Sequence, residues 1–89
     1  MNSRGLPEFW EAYRELSPEI KEAARAAFKK FQLDPLHPSL RLERLRSDAR
    51  FWSVRVTRDY RAVALRLHDD TWVWAWIGSH KDFDRRFPA

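Results

Sequence analysis

Three alternating runs in the second half of the chain constrain the fold most. Residues 51–57 (FWSVRVT) alternate large apolar side chains with polar ones, as a strand with one buried face does. Residues 60–67 (YRAVALRL) and 71–77 (TWVWAWI) also read as strands, and a turn is predicted between them at residues 68–70. Residues 40–46 (LRLERLR) alternate at first and then lose the pattern. These runs together predict a β-meander.

The first half of the chain has helical spacing instead. Apolar residues recur every three or four positions over residues 7–16 and again over residues 18–33. Ser17 followed by Pro18 favours the start of a new helix, with serine as the N-cap. Residues 34–39 (DPLHPS) are predicted to form a proline-fixed loop. The order of elements predicts an α+β fold, with two N-terminal helices packed on one face of an antiparallel sheet.

A short helix is predicted at the end of the chain. Gly78 is expected to end the sheet, and Ser79 is followed by Asp82 three residues later, which is close to a capping box. We expect this helix to extend to about Phe87.

Length and composition exclude several classes of protein. The 89 residues predict one domain over residues 1–89. Because there is no cysteine, disulfides and thiolate zinc sites are excluded, and two glycines are too few for a P-loop or a dinucleotide fingerprint. Three dispersed histidines predict no metal site, and we expect no cofactor. Without a long apolar run or a signal-like N-terminus, we expect a cytoplasmic protein that does not enter membranes.

Both faces of the predicted sheet carry apolar side chains. The helices are expected to pack on the face with the smaller residues. The opposite face would then present Val63, Leu65 and three tryptophans (Trp72, Trp74 and Trp76), with two arginines nearby. Bare apolar surface of this size is rare, so either the termini or a partner cover it, and we favour a partner.

The excess positive charge lies in the middle of the sequence. Residues 41–66 contain eight arginines and three acidic residues, a net charge of +5. Arginine binds phosphate through two parallel hydrogen bonds and stays charged when partly buried. This pattern favours a nucleic acid or an acidic protein as the partner, and the alternative is a solvated basic sheet face.

Two arginines on consecutive strands are the first candidates for chemistry. Arg55 and Arg61 could converge on one anion if their strands are antiparallel neighbours, and phosphate is the natural ligand. The alternative is a pair of salt bridges, to Glu43 or Asp59.

Two further groups could transfer protons. His80 opens the final helix, where the helix dipole disfavours a protonated imidazole, so it is a candidate base; an inert surface histidine is the alternative. Glu43 is also a candidate base, unless it pairs with Arg41 or Arg44.

RNA can be cut without a metal when its 2′-hydroxyl attacks the adjacent phosphate, which requires a base, cations and an acid. The two arginines fit the cation role.

Three segments resemble a known family. They are residues 37–40 (HPSL), 52–63 (WSVRVTRDYRAV) and 74–84 (WAWIGSHKDFD), and they resemble the RelE/ParE superfamily of bacterial type II toxins. The resemblance implies the RelE-like microbial RNase toxin fold, with a twisted antiparallel β-meander. It also implies a cognate antitoxin that blocks the site, and inhibition of translation by ribosome-dependent, metal-independent cleavage of mRNA.

The same resemblance assigns roles to individual residues. Arg61 matches a catalytic arginine of the YoeB-like members, Glu43 falls near their glutamate and His80 near their C-terminal histidine. Arg55 completes the predicted catalytic set. Phe83 stands where many relatives have tyrosine, and the lysine pair of RelE is absent. The residues expected to bind RNA are Arg41, Arg44, Arg46, Arg58, Trp74, Lys81 and Phe83.

Two other functions fit the sequence. One is a toxin of the same fold that acts on DNA gyrase, as ParE-like relatives do. The other is a non-catalytic module that binds an antitoxin or a nucleic acid, which the missing tyrosine hydroxyl and the missing lysine pair would favour.

Overall fold

The computed structural model describes residues 1–68 and 70–88. Asp69, within the predicted turn, lies outside the described residues. The helices are α1 (Pro7–Arg14), α2 (Pro18–Leu33) and α3 (His80–Arg86), and a short 3₁₀ turn spans Pro38–Leu40. The strands are β1 (Asn2–Gly5), β2 (Glu43–Arg44), β3 (Phe51–Thr57), β4 (Tyr60–Leu67) and β5 (Thr71–Ser79).

The two N-terminal helices confirm the prediction from apolar spacing. α2 has the predicted bounds, and α1 ends two residues before the predicted Leu16. The Oγ atom of Ser17 accepts a hydrogen bond from the backbone N–H of Ile20 at 3.3 Å, so Ser17 is the N-cap. Pro18 occupies the first turn, where a missing N–H costs nothing.

The sheet has five strands in the order β1-β5-β4-β3-β2. β2 to β5 form the predicted antiparallel meander. β1 is an addition that the sequence did not predict, and it pairs parallel to β5, which makes the sheet mixed. Helices on one face, the sheet and a short C-terminal helix confirm the α+β prediction.

Two predicted strand limits are wrong. The predicted strand over residues 40–46 is reduced to Glu43–Arg44, because the 3₁₀ turn includes Leu40 and Arg41 has a left-handed backbone with φ of 44°. Gly78 does not end the sheet, since β5 continues to Ser79 and Gly78 pairs with Arg61.

The main core lies between the sheet and α1 and α2. Phe31 of α2 is fully buried, with its ring centroid 5.0 Å from that of Trp72 and 5.3 Å from that of Trp74, both edge-on. Val54, Ala62, Ala64 and Ile77 complete the sheet side of this core. The small Ala62 and Ala64 side chains do face the helices, as predicted.

The three β5 tryptophans do not share a face, so that prediction is wrong. Val63 pairs with Trp76 and Ala64 with Trp74, which leaves Ala75 without a partner as a β-bulge. Trp72 and Trp74 consequently belong to the core under the helices, whereas Trp76 belongs to a second cluster on the opposite face.

This second cluster is covered by the chain itself. Trp76, Val63 and Leu45 are buried there, with Phe83 and Phe87 of the C-terminal segment packed against them. The ring centroid of Phe87 is 5.7 Å from that of Trp76. The favoured prediction that a partner covers this apolar face is therefore wrong, since the C-terminal helix covers its centre.

Candidate catalytic groove

A polar groove lies beside α3, on the face of the sheet opposite the two long helices. It has a volume of about 660 Å³. β2 and the segment after it form one side, β3 and β4 the floor, and α3 the other side. Its charged and imidazole-bearing lining residues are Arg41, Glu43, Arg44, Arg46, Arg61, His80 and Asp84. The strands β2, β3 and β4 and the helix α3 thus bring residues far apart in sequence into one groove.

Arg61 is the half-buried cation on the floor of this groove. Its Nη1 atom donates to the backbone carbonyls of Thr57 at 3.0 Å, Tyr60 at 3.1 Å and Arg58 at 3.4 Å, which fixes the guanidinium. Within residues 1–68 and 70–88, Arg61 forms no ion pair with a carboxylate. The salt bridge considered as an alternative is therefore not formed.

Burial lowers the pKa of Arg61 from its usual value, and neighbouring charges contribute to the shift. The positive charges of Arg55 and Arg41 lower this pKa further, while the negative charges of Glu43 and Asp84 oppose them. A lowered pKa here means that the folded chain has concentrated positive charge around a partly desolvated guanidinium. Such a site gains stability when an anion binds.

Arg55 lies directly opposite Arg61 across the β3–β4 ladder. The two side chains belong to the same face of the sheet, as predicted, and like charges at directly opposed positions are destabilising. Arg55 is not among the residues that line the groove, and in the described part of the chain it has no carboxylate partner. It contributes charge from beside the groove.

Glu43 stands at the edge of the sheet, on β2, where it pairs with Ser53. It is exposed and lines the groove two strands away from the strand of Arg61. No described residue forms an ion pair with it, so the predicted alternative of pairing with Arg41 or Arg44 is not formed.

His80 enters the groove from the first turn of α3. Its backbone N–H donates to the carbonyl of Asp59 at 2.6 Å, and its Nδ1 atom lies 3.3 Å from Oδ2 of Asp84. Ser79 caps the helix as predicted, its Oγ accepting from the N–H of Asp82 at 3.1 Å. The backbone N–H groups of His80 and Asp82 therefore already have partners within the protein.

The other predicted RNA-binding residues divide into three groups. Arg41, Arg44, Arg46 and Phe83 line the groove, although the guanidinium of Arg44 stacks 4.8 Å from the ring centroid of Trp52. Arg58 and Lys81 are exposed outside it. Trp74 is only 7% exposed and packs under the helices on the opposite face, so the prediction that it contacts RNA is wrong.

One groove residue escaped the sequence analysis. Asp84 lies four residues after His80, a spacing that places both side chains on one face of a helix. This i, i+4 spacing is the feature of the sequence from which the contact could have been predicted.

Among the described residues, no three histidine, aspartate or glutamate side chains cluster closely enough to hold a metal ion. In the same residues, no helix is both long and apolar enough to cross a bilayer.

The fold is that of known bacterial and archaeal toxins. A chain of the RelB–RelE antitoxin–toxin complex from Methanococcus jannaschii superimposes with a TM-score of 0.73 at 14% identity, covering 94% of this chain and 98% of that one. The YoeB/ParE toxin from Agrobacterium tumefaciens gives 0.71 at 19% identity, covering 90% and 99%. A RelBE-type toxin–antitoxin complex from Mycobacterium tuberculosis gives 0.71 at 21% identity, covering 89% and 96%.

These likenesses show that the chain has the fold of RelE-like toxin structures. Residues 18–85 match the ParE-like toxin domain, so the chain belongs to that family. No curated protein matches the chain in sequence.

Proposed function

We propose that this protein is the toxin of a bacterial type II toxin–antitoxin system, and that it inhibits translation by cleaving mRNA on the ribosome. The family supplies the toxin assignment. The groove supports the chemistry, because it contains a fixed cation and two groups able to move protons.

The observation that carries this proposal is that Arg61, which has no ion pair with any described residue, lines the same groove as Glu43 and His80. A phosphate bound to this guanidinium would relieve the repulsion from Arg55 and Arg41. Glu43 reaches the groove from the β2 side and His80 from the α3 side. Attack of a 2′-hydroxyl on the adjacent phosphate needs a base on one side and an acid on the other, so these two residues would share those roles.

Inducible expression tests the proposal. Wild-type protein should arrest translation, with new mRNA ends mapping to translated codons. Arg61→Ala and His80→Ala should relieve this arrest by removing transition-state stabilisation worth about 10²–10³-fold in rate. Arg14→Ala is the matched control, because Arg14 is an exposed arginine at the end of α1 that does not line the groove.

Other results would select other functions. Full toxicity of both groove variants would refute the nuclease mechanism. DNA damage with intact mRNA would identify gyrase as the target, and harmless expression with partner binding retained would identify a non-catalytic binding module.

We also propose a cognate antitoxin as the protein partner. A second groove, of about 630 Å³, lies between the two long helices and the sheet. Trp10 and Phe28 line it while 46% and 36% exposed, and Arg4 and Lys29 are among its basic lining residues. An apolar cleft with basic residues fits an amphipathic acidic segment. Co-expression with the neighbouring open reading frame should abolish the arrest.

A further inference from the structure

The side chain of Asp84 contacts a predicted catalytic residue, although no role was assigned to it. Oδ2 of Asp84 lies 3.3 Å from Nδ1 of His80, and both residues line the polar groove. The two side chains are 63% and 46% exposed. An exposed helical pair of this kind contributes little to stability. Stability therefore does not account for placing a carboxylate here.

The imidazole of His80 has two close neighbours, and its backbone is fixed separately. Its ring centroid lies 6.0 Å from that of Phe83 and Nδ1 lies beside Asp84, while the backbone N–H donates to the carbonyl of Asp59 at 2.6 Å. A carboxylate oxygen this close to Nδ1 attracts a proton to that nitrogen, so it favours the tautomer that carries a proton on Nδ1. Nε2 is then the nitrogen left free to exchange a proton in the groove.

We infer that Asp84 is a positioning residue for His80, orienting the ring and fixing its tautomer so that Nε2 serves the cleavage reaction. This inference rests on the proposed function. In the reaction, the O2′–H bond breaks as the new O2′–P bond forms, and the bond from phosphorus to the 5′-oxygen breaks. The proton from the 2′-hydroxyl goes to the base, and the leaving 5′-oxygen receives one from the acid. Whichever of these roles His80 takes, Nε2 makes the transfer.

The tautomer can be measured without any cleavage assay. Nitrogen-15 NMR of the His80 ring, recorded at alkaline pH, should report the tautomer protonated on Nδ1 in the wild-type protein. Asp84→Ala should shift this population towards the Nε2-protonated form, whereas Asp84→Asn should retain part of the preference because its amide oxygen still accepts. Asp82→Ala is the matched control, since Asp82 pairs with Arg85 on the same helix at 3.6 Å.

Cleavage kinetics provide the second measurement. In Asp84→Ala, kcat on ribosomes programmed with mRNA should fall about tenfold, a fraction of the 10²–10⁴-fold that general acid–base catalysis supplies, while KM stays constant. Asp82→Ala should match the wild type in both parameters.

The outcomes separate the inference from the proposed function. An unchanged His80 tautomer in Asp84→Ala, or an unchanged kcat, would overturn the positioning role even in an active nuclease. A wild-type protein that shows the expected tautomer dependence but cuts no RNA would overturn the proposed function, and the role in cleavage with it.

Discussion

Gly78 is the position where adding one carbon atom should disturb the fold most. A Cβ atom there would lie 2.5 Å from Cζ2 and 2.8 Å from Cη2 of Trp76. These distances are far below the separation of about 3.5–4.0 Å at which carbon atoms attract one another. The Trp76 ring cannot easily move away, because it is 9% exposed and packs against Phe83 and Phe87.

The expected cost of Gly78→Ala follows from two opposing effects. Overpacking a filled cluster costs about 1–3 kcal/mol. Alanine also restricts the unfolded chain, which returns about 0.4–1 kcal/mol, and no strain is added because φ of Gly78 is not positive. We expect a net loss of about 1–2 kcal/mol in the free energy of unfolding, or a fall of roughly 5–15 °C in Tm for a domain of this size.

Gly5 provides a matched control. A Cβ on Gly5 would lie 2.6 Å from Nε1 of Trp10, an equally close approach to an indole ring. Trp10 is 46% exposed, so its ring can turn into solvent. We expect Gly5→Ala to change stability by less than about 0.5 kcal/mol.

Urea unfolding followed by circular dichroism measures both variants. A double-mutant cycle with Trp76→Phe identifies the cause, since the smaller ring lacks the clashing atoms. The cost of Gly78→Ala should fall by about 1 kcal/mol in that background. A cost that persists there, or a Gly5→Ala variant as unstable as Gly78→Ala, would refute the reasoning.

Two further predictions concern the exposed loop and the core. Hydrogen bonds from the Arg50 side chain, and then from its backbone, lower the pKa of Asp48 from 3.8 to about 2. The ionised Asp48 carboxylate therefore stabilises the folded state above pH 3.8, and this contribution is lost as the pH falls through about 2. In Asp48→Asn, the free energy of unfolding measured in urea should fall less between pH 4 and pH 2 than it does in the wild type. Phe31→Ala should cost about 3–5 kcal/mol and leave little cooperative thermal transition, because the side chain is fully buried against Trp72 and Trp74; a sharp transition near the wild-type Tm would contradict this.

The sequence predicted those elements whose side chains show a capping residue or an apolar periodicity. Ser17 and the apolar spacing determined α2, and alternation in β3 gave the correct faces for Val54 and Arg55. β1 has no apolar pattern of this kind, because it is held in the sheet by backbone pairing with β5. The N–H of Leu6, directly after β1, extends this pairing by donating to the carbonyl of Trp74 at 2.9 Å. Side-chain patterns do not report bonds of this kind.

The groove was only partly predictable for a related reason. Arg61, Glu43 and His80 were each identified from their own segment, and the strand order then brought them together. The assignment of Trp74 failed because the helices were expected on the face with the smaller β5 side chains, whereas Trp72 and Trp74 pack under them. Asp84 was missed because its importance depends on a contact with His80 rather than on its residue type.

The bulge at Ala75 determines the architecture of the groove. Without it, residues two apart would share a face, and Trp76 would join Trp74 under the long helices. The unpaired residue turns Trp76 to the opposite face, where it packs against Phe83 of α3 and against Phe87, which directly follows α3. Because α3 rests on this ring, His80 stands over the strand that holds Arg61. One extra residue in β5 therefore separates Trp72 and Trp74, which complete the core, from Trp76, which supports the groove. Bulges are frequent next to active sites because they redirect side chains in this way.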